Sequence, residues 1–474
     1  MKILLTGATG YIGKRLLPVF LSEEHEVVCC VRDKRRFNAA QYNYSSNISV
    51  VEVDFLDKST LHNIPDDIDV AFYLIHSMAS TIKGFEVLEQ QTAMNFRERM
   101  NQTAVTQVIY LGGIVNDEKL SRHLCSRKAV EEVLSKGNYH FTALRAGIIV
   151  GSGSASFEII RDLVEKFPIL IAPKFINTRT QPIAIRNVLH YMSGVMLNEQ
   201  TYDKSFDIGG PDILTYKDML LHFAEVRNLK RRVYVVPLLT PRMASYILYF
   251  ITSTSYKLAV NLINSMSVEI ICGDNNLNKV IPIELISYKE AVKLAFDKIK
   301  QEEVVSSWTD ALSGGKLDKG ISHFINMPSH GCLVNELSKP ISNEKKVFEK
   351  IWSIGGKTGW YYGNWFWRIR GNIDKLFGGV GLSRGRRSKK SLHAGDTLDF
   401  WRVLLADRKE KRLLLYAEMK QPGEAWLEFK IKDNTLYQTF AFRPLGILGR
   451  IYCYITMPFL IYILRGMIRK IAKG

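Results

Sequence analysis

A chain of 474 residues, 46% of them apolar, exceeds one ordinary domain and has ample material for large cores, which excludes a single small domain. Its net charge of +17 is uneven: residues 1–320 hold 37 Lys and Arg against 35 Asp and Glu, whereas residues 321–474 hold 27 against 12. Six scattered cysteines without a C-x-x-C pair, and ten histidines without H-E-x-x-H spacing, give no support to a metal centre, and no G-x-S-x-G elbow marks a serine hydrolase.

The chain opens on a short apolar strand, Ile3 to Leu5, followed by Thr6-Gly-Ala-Thr-Gly-Tyr-Ile-Gly13 and then Leu16, Leu17 and Phe20 at helical spacing. Glycines after a strand and before a helix let the backbone approach a pyrophosphate, and the leading amides of the helix bind the anion. Thr6, Gly7, Thr9, Gly10, Tyr11, Ile12 and Gly13 are therefore the expected dinucleotide cradle. The strand is far too short for a secretory h-region, and a cytoplasmic location with reduced cysteines is expected.

A second apolar run, Glu26 to Val31, delivers Arg32 where a ribose-binding acid would otherwise stand, with Lys34, Arg35 and Arg36 beside it. A guanidinium fork binds a 2′-phosphate bidentately, so NADP(H) is the expected cofactor, with Asp33 arguing for NAD. After a third strand, Ile48 to Val53, Asp54 is read either as an acceptor for the adenine amino group or as a turn carboxylate.

Strand-like runs at Val70–Leu74, Gln107–Leu111, Phe141–Ala146 and Lys204–Ile208 alternate with helical patterns at Glu86–Arg99, Ser121–Ser135, Phe157–Val164 and Ile185–Leu197. The fold class read from this is α/β, a Rossmann-type doubly wound parallel sheet. Its strand ends gather the glycine turn, Arg32, the His76-Ser77 corner and Gly112-Gly113 on one rim. Gly151-Ser-Gly-Ser154 reads as a flexible loop at the site, and the apolar stretch Leu238–Ile263 as core helices or the lining of a substrate pocket.

The Gly- and charge-rich segment Ser313–Gly320 marks a boundary: residues 1–312 form the first domain, 313–330 the linker and 331–474 the second domain. In the second, four runs of period two, from Thr397, Arg412, Ala425 and Leu436, precede a long apolar helix, Leu448–Ala472, and imply an α+β domain. That helix has 14 uncharged residues between Arg450 and Arg465, short of the roughly 20 that span a bilayer, so it is expected to cover a groove or lie at an interface. The run Arg384-Gly-Arg-Arg-Ser-Lys-Lys390 and the aromatic cluster Trp360, Tyr361, Tyr362, Trp365, Phe366 and Trp367 suit an anionic membrane surface, giving a protein peripheral to the membrane. Nucleic acid is the less favoured partner because no recognition motif accompanies the charge.

On Thr6–Gly13, Arg32, Asp54, Tyr73–Met78, Leu111–Gly113, Ser126–Lys128, Leu144–Gly147 and Asp207–Pro211, the first 300 positions resemble an atypical short-chain dehydrogenase/reductase of the NmrA-like kind. On Trp360, Gly378–Gly385, Gly395-Asp396, Pro422–Trp426 and Arg443–Gly446, the remainder is similar to a START-like domain of unknown function. The second resemblance implies a helix-grip cup holding a lipid or another hydrophobic small molecule. The first implies that Lys128 holds the nicotinamide ribose and assists catalysis. It also implies a Tyr four residues earlier, where this chain has Leu124, and a Ser at the end of the preceding strand, where it has Gly112 or Gly113. An apolar side chain transfers no proton, so His76, Ser77, Tyr110 and His123 are the candidate substitutes. Two functions stay open: a reductase of a quinone- or enone-type substrate, and a non-catalytic NADPH-dependent sensor or binding module.

Overall fold

The computed structural model describes residues 1–474 apart from 33, 35, 36, 38, 40, 41, 43, 44, 76–84, 116–121, 252–255, 301–332, 357, 377, 378, 380, 383–391, 445 and 474. The chain divides into two compact units, Met1–Thr252 with Tyr256–Gly315, and Lys316–Gly474 with three residues, 253–255.

In the first unit, β1 (Lys2–Leu5), β2 (Glu26–Val31), β3 (Ile48–Glu52), β4 (Val70–Tyr73), β5 (Gln107–Gly113), β6 (His140–Ala146) and β7 (Lys204–Ile208) form one sheet. Its order is β7-β6-β5-β4-β1-β2-β3, and every pairing is parallel. Such a sheet is covered on both faces, which is why β1, β2 and β4 read as unbroken apolar runs rather than alternating ones. One face packs on α1 (Gly13–Ser22) and buries Leu17, Phe20, Phe72 and Val188. The other packs under α2 (Phe85–Met100) and α3 (Arg122–Leu134), burying Phe96, Tyr110 and Leu134. The rest of this unit is largely helical: α4 (Ala155–Lys166), α5 (Ile185–Gly194), α6 (Tyr216–Val226), α7 (Pro241–Ile251), α8 (Tyr256–Ser265) and α9 (Tyr288–Lys300). The Leu238–Ile263 stretch is two-faced. Leu239, Leu248, Tyr249 and Ile263 are core, while Leu238, Met243, Tyr246 and Ile247 are exposed.

The second unit is α+β. Its strands β8 (Leu333–Pro340), β9 (Thr397–Leu398), β10 (Trp401–Asp407), β11 (Arg412–Ala417), β12 (Gly423–Lys432) and β13 (Thr435–Pro444) form an antiparallel sheet in the order β8-β13-β12-β11-β10-β9. The four expected runs are present. The strand Leu333–Pro340 is absent from the expected runs: it is an edge strand with no buried position, so no alternation announces it. The first run is broken at Asp399, whose φ of 54° turns the chain between β9 and β10. Helices α10 (Glu344–Trp352), α11 (Asn364–Leu376) and α12 (Gly446–Ala472) complete the unit, and α12 lies over β13 and β8.

Two features of this unit bear on the expected surfaces. Trp360 and Trp367 are 2% and 3% exposed and packed with Phe400 and Trp401, so these two of the six clustered aromatics are core, whereas Trp365 is 63% exposed. Gly449–Ala472 is long and apolar enough to cross a membrane, because Arg450 and Arg465 interrupt its apolar run without ending the helix. The basic run 384–390 lies outside the described residues, as does Cys332; the other five cysteines are free thiols.

Candidate nucleotide site

The turn after β1 is built by steric necessity. Gly7 has a φ of 64°, and a Cβ there would lie 2.8 Å from the Leu74 carbonyl oxygen. A Cβ on Gly13 would lie 2.4 Å from the Gly7 carbonyl oxygen, so only glycine lets α1 start this close to the strand it follows. The Gly10 amide donates to the Gly7 carbonyl at 2.8 Å and closes the turn. Thr6 is fully buried: its hydroxyl donates to the Phe72 carbonyl at 2.9 Å and accepts from the Leu74 amide at 3.0 Å, locking the turn to β4. Thr9, Gly10, Tyr11 and Ile12 are partly buried at the start of α1, where the Lys14 amide donates to the Gly10 carbonyl at 3.2 Å and the Leu16 amide to the Ile12 carbonyl at 2.9 Å. This tight, glycine-lined approach fits a dinucleotide pyrophosphate.

Tyr11 and Arg15 connect the turn to the loop 151–154. The Arg15 guanidinium stands 4.1 Å from the Tyr11 ring centre and donates to the Ser152 carbonyl at 2.6 Å. Burial pushes the Tyr11 phenol up to about 12, so it remains protonated. Ser154 caps α4 by accepting from the Phe157 amide at 3.3 Å, and the Gly153 amide donates to Glu158 at 3.1 Å. The segment read as a flexible loop is thus held at both ends.

Arg32 is exposed at the carboxyl end of β2, on the same edge as the glycine turn because β1 and β2 are parallel neighbours. Arg35, Arg36 and Asp33 lie outside the described residues, as do His76 and Ser77. Asp54 follows β3 and its Oδ1 accepts from the Leu56 amide at 3.0 Å, so the turn reading of that carboxylate is present in the fold.

Lys128 is exposed on α3, and Leu124, one turn earlier, is buried against Gly113. A Cβ on Gly113 would lie 3.1 Å from the Leu124 side chain; the pair that would carry a Ser and a Tyr forms an apolar contact instead. Among the candidate substitutes, Tyr110 is buried and donates to the Arg127 carbonyl at 3.3 Å, and burial holds its phenol well above the ordinary value. It is a structural hydroxyl. The side chain of His123 lies outside the described set.

Sequence reasoning passed over one cluster near this rim. Glu131 of α3 takes Arg145 of β6 in a two-point ion pair at 2.6 and 3.1 Å and accepts from Ser205 at 2.7 Å. Asp207 of β7 is buried, its Oδ2 accepts from the Gly273 amide at 2.9 Å, and burial raises its carboxyl. The available signal was a single charge inside each of two apolar strands, Leu144-Arg145-Ala146 and Phe206-Asp207-Ile208. Buried charges of this kind need partners from other elements.

Comparison with known proteins agrees with this geometry. Residues 7–162 match a family model described as NAD(P)H-binding, and residues 333–467 match one described as a protein of unknown function, DUF2867. Among solved structures, a Staphylococcus aureus nucleoside-diphosphate-sugar epimerase is similar at 14% identity and a TM-score of 0.50, over 62% of this chain and 100% of that one. The Citrobacter sp. triphenylmethane reductase complexed with NADP(H) is similar at 16% identity and a TM-score of 0.52, over 62% and 100%. No curated protein matches the chain. The first unit thus has a Rossmann-like fold shared with such reductases and epimerases, its residues 7–162 matching an NAD(P)H-binding family, and the second unit matches a family of unknown function.

Proposed function

We propose that this protein binds NADP(H) and reduces a hydrophobic, electron-poor acceptor of quinone or enone type without the tyrosine of ordinary short-chain reductases. The observation that supports the reading is the exposed Arg32 at the end of β2, a basic side chain at the position where an NAD site would carry an acid. The glycine turn binds the pyrophosphate, Lys128 holds the nicotinamide ribose, and Asp54 lies near the adenine end. Bound nicotinamide supplies a hydride to a substrate carbon. Leu124 supplies no proton, so on this reading the substrate's oxygen or enolate takes its proton from water or from His76, Ser77 or His123.

The second unit is read as a START-like helix-grip module for an apolar ligand, supported by the long helix α12 laid over an antiparallel sheet. A cytoplasmic, reducing location is supported by the five free thiols. The Leu124 contact also favours a second reading, in which the nucleotide is a sensory ligand and nothing is reduced.

Calorimetric titration with NADPH and NADH tests the cofactor assignment: tighter binding of NADPH is expected, and equal affinities would overturn it. Rapid NADPH oxidation with a panel of quinones, enones and aldehydes separates the two readings. Turnover that is lost in Lys128→Met establishes the reductase, whereas tight NADPH binding with no turnover across the panel establishes the binding module.

A further inference from the structure

Two helices of the second unit carry apolar stripes that the fold leaves uncovered. On α12, Ile451, Tyr454, Ile455, Phe459 and Tyr462 recur at helical spacing and are 51–71% exposed. The opposite face of the same helix, including Cys453, Leu464, Met467 and Ile471, is buried in the core. On α11, Trp365, Ile369, Ile373 and Leu376 recur every three or four residues and are 40–71% exposed, while Trp367 and Gly371 face inward. The two helices meet beside these stripes. The Tyr362 and Tyr462 hydroxyls lie 2.9 Å apart, and Arg370, between Ile369 and Ile373, donates to the Tyr452 hydroxyl at 2.5 Å.

Charge identifies what covers this surface. The helix α12 contains no acidic residue. The single acid of α11, Asp374, is buried and accepts from the Gly381 and Lys420 amides. Arg368, Arg450, Arg465 and Arg469 are all exposed along the two helices. A face that is apolar, aromatic and cationic, without a carboxylate, matches an anionic bilayer. A second copy docked face to face would set these cations against one another.

We propose that α11 and α12 together form a membrane-binding face that seats the protein on anionic lipid, with the exposed stripes entering the headgroup boundary and the arginines meeting phosphates. The stripe from Ile451 to Tyr462 is roughly 16 Å long at 1.5 Å per residue, lying in the plane of the interface. Although α12 is long enough to span a bilayer, its inward side chains are part of the core, and crossing would strip them from the sheet. The helix therefore lies on the membrane. This inference is independent of whether the nucleotide unit catalyses anything.

The test uses the full-length protein and co-sedimentation with vesicles of phosphatidylcholine alone or mixed with phosphatidylglycerol. Binding to the anionic vesicles is expected, weakened at high salt, with hydrogen-exchange protection appearing in α11 and α12. The double variant Ile455→Glu, Phe459→Glu changes only exposed positions and is expected to lower binding by about tenfold or more. Arg465→Gln with Arg469→Gln is expected to lower it about fivefold per cation. Both keep NADPH affinity and melting temperature. Absence of binding at low salt, indifference to lipid charge, or protection outside these helices would overturn the proposal. So would a dimer in light scattering that the glutamate pair converts to monomer while vesicle binding is absent.

Discussion

The two units place their charged groups oppositely. In the nucleotide unit the central strands β1, β2 and β4 bury aliphatic, cysteine and aromatic residues, and the glycine turn and Arg32 lie beyond the strand ends. In the second unit the charges run through the sheet itself. Arg402 is 0% exposed, pairs with Glu418 at 3.0 and 3.2 Å and donates to the Gly395 carbonyl at 2.8 Å. Asp399 is buried beneath the Trp360 indole, which donates to it at 2.8 Å. The central strands of a parallel sheet covered on both faces leave little room for charge, and the internal charges of this unit, Arg145 and Asp207, stand on β6 and β7 at one side of the sheet. The second unit tolerates internal charge because each group has a partner, and it puts its apolar surplus outside.

The largest expected effect sharpens that contrast. Arg402→Met leaves Glu418 buried without its cation and should destabilise the second unit by about 3–5 kcal/mol. Six of the seven tryptophans lie in residues 333–474, so the loss is read as an earlier tryptophan-fluorescence transition in urea. A change below about 1 kcal/mol would show that water reaches the pair and that the contrast fails.

A second expectation concerns pH. Burial raises the Asp399 carboxyl to about 6 against an unfolded value of 3.8. A raised acid favours the folded state most when protonated, so its contribution is full below pH about 4 and is lost as pH rises through about 6. The ionised form costs on the order of 3 kcal/mol above that. Asp399→Asn retains an acceptor for the Trp360 indole and should stabilise the unit at neutral pH while flattening stability between pH 4 and 6. Unchanged pH dependence of the fluorescence midpoint would refute the assignment.

At the nucleotide unit the expected effects appear in binding rather than folding. Arg32→Ala should reduce the preference for NADPH over NADH by about 1.5–3 kcal/mol, with the melting temperature unchanged, because the side chain is exposed. Lys128→Met, also at an exposed position, should weaken both nucleotides by about 1 kcal/mol or less without altering that preference. Preference lost in Lys128→Met and kept in Arg32→Ala would reverse the roles.

The glycine turn and the parallel sheet were legible because each depends on local chemistry, a positive φ and an unbroken apolar run, and the leucine in place of a phenol was legible from the resemblance to short-chain reductases. The Glu131–Arg145–Asp207 cluster was not, because its members are brought together from α3, β6 and β7 across more than 70 positions of chain. The strand Leu333–Pro340 was silent because an edge strand buries too little to leave a pattern.

What the sequence determined by itself is therefore the cofactor grammar of the first unit and the α+β class of the second. Tertiary structure alone decided which apolar residues are core. Trp360, Trp365 and Trp367 lie within eight positions, yet their exposures are 2%, 63% and 3%. Side chains two apart on a helix point about 200° from each other, so the phase of α11 against the sheet, which composition does not encode, sends Trp367 inward and leaves Trp365 outside.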